Sequence, residues 1–143
     1  MRTAADYERY LAAFNARDYD GLCRFFTPDV ILNTEGYVIR GREGVKRFYA
    51  FLHAYVREEI VAKHTAAGPG VFFAEVIMRF TGLEDLSQSV LDSHGFSRFT
   101  PVPRGAQVEV PLLIVYELDG ALIREIRCAV PRPPAPSPEP AAR

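Results

Sequence analysis

The sequence lacks several things that would narrow its role at once. It has no tryptophan, only two cysteines, only two methionines and three histidines in 143 residues. Cys23 and Cys128 are far apart and form neither a CxxC pair nor a metal-type pair, so no zinc knuckle and no dense disulfide framework is implied. No metal or organic cofactor is expected. The chain runs directly into an amphipathic, partly acidic helical segment, which fits neither a signal nor a transit peptide. The expectation is therefore two buried thiols and a cytoplasmic location. No apolar run approaches the roughly 20 residues that a membrane-spanning helix needs. An excess of positive charge is also missing. Lys and Arg number 17 against 18 Asp and Glu, a net charge of −1, which argues against nucleic acid as the main partner. There is no internal repeat.

The remaining composition is that of one globular domain. Hydrophobic residues make up 48% and charged residues 24%. A chain of this length buries about two-thirds of its unfolded surface. Residues 3–16 read as a helix, with Thr3 and Asp6 as a capping signal and Tyr7, Tyr10, Leu11 and Phe14 on one face. Asp18 can cap a second, short helix that carries Leu22, Phe25 and Phe26 inward and stops at Thr27-Pro28. Short strands are expected at Val30–Leu32 and Tyr37–Ile39. A third helix after Gly41 places Val45, Phe48, Tyr49, Leu52 and Val56 on one face.

From Glu58 the period changes to two, and four strands are expected over 58–66, 71–81, 107–118 and 121–130. Asp119-Gly120 is a strong hairpin signal. Residues 82–105 are too long for a hairpin loop and read as a lid or a packed excursion. Six of the 11 prolines fall between 131 and 140, so 1–130 reads as the domain and 131–143 as an unpacked Pro/Ala-rich tail.

Particular motifs carry a family likeness. The run Arg9-Tyr10-Leu11-Ala12-Ala13-Phe14-Asn15-Ala16-Arg17-Asp18, followed by Asp20-Gly21-Leu22, resembles the opening of NTF2-like domains. Phe26-Thr27-Pro28-Asp29-Val30, Gly41-Arg42-Glu43-Gly44-Val45 and the final hairpin around Asp119-Gly120, Ile123 and Ile126-Arg127 resemble later landmarks of the same superfamily. Together they span about residues 6–129 and resemble SnoaL-like and ketosteroid isomerase-like members. The resemblance implies an α+β fold, a cone-shaped barrel in which three N-terminal helices pack on a curved, mostly antiparallel sheet.

The resemblance carries the known catalytic sets over unevenly. Tyr10 falls where ketosteroid isomerases place the tyrosine that donates to the substrate oxyanion. Their general-base aspartate falls at Thr34 or Asn33, and their second aspartate at Ile114. The Asp-Arg-Asp set of epoxide hydrolases of this fold falls on Val76, Met78 and Cys128. SnoaL-type cyclases and related dehydratases use a strand histidine with an acidic partner. His64 is a candidate for that histidine, and no acidic partner is evident on the same faces.

Strand alternation puts Ile60, Ala62 and His64 inward, with Phe72, Ala74, Val76, Met78 and Phe80, then Val108, Val110, Leu112, Ile114 and Tyr116, then Ile126 and Cys128. This predicts an apolar chamber with few polar groups: Tyr10, His64, Tyr116 and Thr34. Tyr10 and His64 are the candidate catalytic residues, one stabilising negative charge and the other moving a proton. Phe14, Phe26, Thr34, Met78, Ile114, Tyr116 and Cys128 are the candidate substrate contacts. Each also reads as plain core. Glu58 and Glu59 read as a solvated face, and Asp92-Ser93-His94 as a solvated loop or a group at the cone's mouth.

The expected function is proton transfer on a small, mostly apolar oxygenated substrate, polyketide- or steroid-like, by cyclisation, isomerisation or dehydration. The alternatives are a non-catalytic binder of hydrophobic ligands and a protein–protein adaptor. Val71, Phe73, Ile77, Leu113 and Val115 on the outer sheet face imply a homodimer.

Overall fold

The structure, a computed structural model, describes residues 1–131. The expected unpacked tail, beyond Pro131, lies outside the described residues. The chain order is α1 (Ala4–Asn15), α2 (Tyr19–Cys23), β1 (Phe26–Thr34), β2 (Tyr37–Arg40), α3 (Gly41–Tyr55), β3 (Val56–Gly68), β4 (Val71–Gly82), α4 (Gln88–Ser93), β5 (Gln107–Asp119) and β6 (Leu122–Ala129). The six strands form one curved, unclosed sheet in the order β2-β1-β6-β5-β4-β3. Every pairing is antiparallel except that of β1 with β6. This is the expected α+β plan.

Local chemistry sets the element ends. Thr3 and Asp6 form a reciprocal capping box, with the Asp6 N–H donating to Thr3 Oγ1 at 3.1 Å and the Thr3 N–H to Asp6 at 3.0 Å. Asp18 caps α2 through the Gly21 N–H. Gly41, at φ +75°, makes the abrupt change from β2 to α3. Helix α3 then buries Val45, Phe48, Tyr49 and Leu52 on one stripe. The edge strand β3 is covered at one point by Asn15, whose side chain donates to the Ile60 carbonyl and accepts from the Ile60 N–H.

Two features depart from the expected pattern. Helix α3 ends at Tyr55 and β3 begins at Val56, two residues before the expected start of the strand. Strand β3 also carries a bulge: Ala62 pairs with Val76, but His64 already pairs with Glu75. The extra residue, Lys63, changes which face every later β3 side chain takes.

The excursion over 82–105 is packed. Leu86, Leu91 and Val102 are buried, Leu86 and Val102 form an isolated bridge, and Phe96 and Phe99 stack with Tyr37 and Phe48.

Candidate active site

The cone is filled at one end and open at the other. At the filled end Tyr7, Tyr10, Phe72 and Tyr116 interlock, with ring centroids 5.1 to 6.3 Å apart, and Tyr7 Oη lies 3.1 Å from Tyr116 Oη. At the other end a cavity of about 650 Å³ lies between the sheet, α3 and the excursion. Met78, Phe80, Val108, Val110 and Leu112 line it from the sheet, Phe48, Tyr49 and Leu52 from α3, and Leu86, Phe99 and Val102 from the excursion. This is within the size range of small-molecule sites.

One carboxylate enters this apolar wall. Glu58 belongs to the inner face of β3, in phase with Val56 and Ile60, and is 6% exposed. Because α3 runs straight into β3, His53 in the last turn of the helix lies beside it. His53 Nε2 is 2.9 Å from Glu58 Oε2, and His53 Nδ1 is 2.8 Å from Tyr19 Oη on α2. A carboxylate can only accept, so Nε2 carries a proton toward Glu58, and Nδ1 shares a hydrogen bond with the Tyr19 hydroxyl. The Tyr49 ring stacks on His53 at 5.5 Å and the Phe14 ring meets it edge-on, so the imidazole cannot turn away. Glu58 Oε1 makes no hydrogen bond to any described residue and is left to whatever occupies the cavity.

Tyr49 supplies the second polar group of the wall. Burial, with smaller contributions from Tyr10, Glu58 and Cys128, holds its hydroxyl well above the ordinary phenol range, so it is a donor throughout the neutral range. Its oxygen bonds to no described residue. Cys128 lies on the same wall, its thiol pushed up to about 12 by burial, with Glu58 and Glu35 adding to the effect. Among the described residues no three His, Cys, Asp or Glu side chains converge as they would around a metal ion, and no helix is long and apolar enough to cross a membrane.

The structure rearranges the expected site. Thr34, Met78 and Cys128 do line the cavity. Phe14, Phe26, Ile114 and Tyr116 are buried in the packed core and are not part of its wall. Tyr10 is enclosed by Tyr7, Phe25, Phe26 and Tyr116 at the filled end, its hydroxyl raised well above the phenol range chiefly by burial.

The inward placement of His64 must be corrected. The Lys63 bulge turns it to the outer face, where its side chain is 80% exposed and its Nδ1 lies 2.8 Å from Glu75. The solvated reading of Glu58 is corrected too: it shares the inner alternation of Val56 and Ile60, beneath the end of α3, and is buried. His94 stacks on Phe51 at 4.2 Å, outside the cavity wall. The missed residues, Tyr19, Tyr49, His53 and Glu58, left a faint signal. His53 continues the apolar stripe of α3 four residues after Tyr49, and Glu58 shares the phase of Val56 and Ile60.

A curved sheet wrapped by helices around a one-ended cavity is the architecture of NTF2-like proteins. The chain belongs to the SnoaL-like domain family, whose profile matches residues 7–126. Solved structures agree in fold. A candidate polyketide cyclase from Silicibacter sp. TM1040 is 24% identical, with 87% of this chain and 85% of that chain covered at a TM-score of 0.71. A SnoaL-like polyketide cyclase from Agrobacterium tumefaciens C58 is 20% identical over 92% and 94% of the two chains, at a TM-score of 0.69. A computationally designed 17-OHP binder is 18% identical over 86% and 88%, at a TM-score of 0.62. No curated protein sequence matches the chain.

Proposed function

We propose that this protein is a cofactor-independent enzyme that moves a proton on a mostly apolar, oxygenated small molecule held in the open end of the cone. The observation that carries this reading is the Glu58 carboxylate, set in an apolar wall with one oxygen held by His53 and the other free. Such a carboxylate is suited to take a proton from carbon next to a carbonyl. Removing the proton leaves an enolate, and the Tyr49 hydroxyl is placed to donate to its oxygen. Returning the proton elsewhere completes an isomerisation. Attack of the enolate carbon on a second carbonyl, whose oxygen then takes the proton from Glu58, completes a cyclisation, and expulsion of a β-hydroxyl that takes the same proton to leave as water completes a dehydration. His53 is a positioning residue, fixing the direction of the carboxylate without touching the substrate. Thr34, Met78 and Cys128 contact the substrate body. The polyketide cyclase among the similar structures supports this class of chemistry.

The test uses 2-tetralone, a bicyclic ketone small enough for the cavity, with deuterium uptake at its α-carbons followed by NMR. The protein should accelerate exchange, and Glu58→Gln should remove roughly 10²- to 10⁴-fold of that acceleration. Exchange no faster than buffer, or a Glu58→Gln variant as fast as the parent, would sink the proposal.

The designed binder on the same fold favours one second reading, a cavity that holds an apolar ligand without chemistry. In that case ligand binding survives while neither protein catalyses exchange.

The protein acts as a homodimer, in this proposal, through the outer sheet face. Val61, Phe73 and Leu113 are 42, 46 and 48% exposed there, with Ile77 and Val115 beside them and ion pairs such as Arg79–Glu109 at the border. Light scattering should give twice the 16.0 kDa chain mass, and a monomer at tens of micromolar would overturn the assignment.

A further inference from the structure

The cavity wall contains a second charge, of the opposite sign, at its mouth. Arg98, on the excursion, lines the cavity and is solvent-exposed, whereas Glu58 is buried. Its position is built rather than incidental. The Arg98 backbone N–H donates to Tyr37 Oη at 3.0 Å, and the guanidinium carbon sits 4.7 Å above the Tyr37 ring. That ring is itself held by Phe96 and Phe99, each with its centroid 5.3 Å away. On the other side the guanidinium approaches Gly36, at φ +78°, so closely that any Cβ there would collide with Nη1.

Despite this cradle, the guanidinium makes no ion pair and no side-chain hydrogen bond to any described residue. Glu35 also lines the mouth, but it is exposed and forms no ion pair with Arg98. The five N–H donors are therefore pre-oriented and unused, an arrangement suited to a planar anion. The buried Glu58 adds to the selection, because its negative charge disfavours an anionic group deep in the cavity.

We infer that Arg98 recognises a carboxylate or similar anionic head on an otherwise apolar ligand, so that the substrate is an amphipathic acid with its head at the mouth and its apolar body toward Glu58. The inference rests on the cavity as the binding site proposed above and not on catalysis there.

Two fluorescent probes of nearly the same shape test it: 1-anilinonaphthalene-8-sulfonate, whose sulfonate stands in for the carboxylate, and uncharged N-phenyl-1-naphthylamine. Arg98→Ala should weaken binding of the sulfonate about tenfold, the scale of a charged hydrogen-bonded contact, and leave the neutral probe within about twofold. Arg98→Glu should weaken the sulfonate further and still spare the neutral probe. Equal losses for both probes would mean a structural role, and no loss for either would mean that the anion is held elsewhere; each result overturns the inference. The probe comparison involves no proton transfer, so a failed acid–base assignment, read from ketone exchange, and a failed anion assignment, read from the two probes, give different results.

Discussion

The two ends of the cone are walled by the same strands and differ in what those strands carry. Toward the β3–β4 turn, the inner positions of β4 and β5 hold Phe72 and Tyr116, and α1 fills the remaining volume with Tyr7 and Tyr10. Toward the other end the same alternation continues with Met78, Phe80, Val108 and Val110, and no described residue fills the space between them. Ring size and helix position, rather than strand pattern, divide structural interior from chamber. The polar groups divide the same way: hydroxyls at the filled end meet one another, whereas Tyr49 and one oxygen of Glu58 at the open end have no partner among the described residues.

If that division is right, truncations at the two ends should differ in cost. Phe72→Ala removes a ring from a packed cluster and should destabilise by about 3–5 kcal/mol in urea unfolding. Met78→Ala borders space that is already empty and should fall near the low end of its class, about 2 kcal/mol. Equal costs would break the comparison.

A smaller effect should appear on raising the pH. Tyr7 at the filled end and Cys128 at the open end are both held up to about 12, each chiefly by burial, from ordinary values of 10.0 and 9.0. An acid whose folded value is raised contributes fully below its unfolded value and loses that contribution as pH rises toward the folded one. Stability should therefore be insensitive to these groups through neutral pH and decline from about pH 9 toward 12. Tyr7→Phe and Cys128→Ala should each make the decline shallower. A decline unchanged in both variants would place its origin elsewhere.

The smallest effects belong to two residues singled out by sequence reasoning. Tyr10→Phe should cost about 1 kcal/mol and leave ketone exchange unchanged, because the hydroxyl sits among other rings. His64→Gln should alter neither stability nor exchange measurably. A loss of exchange in His64→Gln would bring the outer face into the mechanism and overturn the division between the two ends.

The contrast between the ends also marks how far the sequence could be read. Alternation and capping signals were enough for the α+β plan, because the runs in β4 and β5 are long and their charged residues, Glu75, Arg79, Glu109 and Glu117, all fall on one face. The site was less legible for two local reasons. Helix α3 read as continuing to Val56, which left Glu58 as the exposed first residue of a strand and hid its neighbour His53. Nothing in Ala62-Lys63-His64-Thr65 announces a bulge, since a bulge is a property of the pairing with β4 and not of β3 alone. Arg98 was hidden for a third reason: its cradle is assembled from Gly36 and Tyr37, some 60 residues earlier.

The bulge at Lys63 works like an inserted letter in a text read two characters at a time. Everything after it is read in the other phase, so His64 and Ala66 face out while Thr65 and Ala67 take the inner side. Straightening the bulge, so that Lys63 paired with Glu75, would move His64 opposite Ala74 and swing its imidazole to the concave side of the sheet. A protein of this kind is thus one step of register away from presenting a different titratable group to its interior, with no substitution at all. In such an architecture chemical repertoire can change through the register of a strand as readily as through its composition.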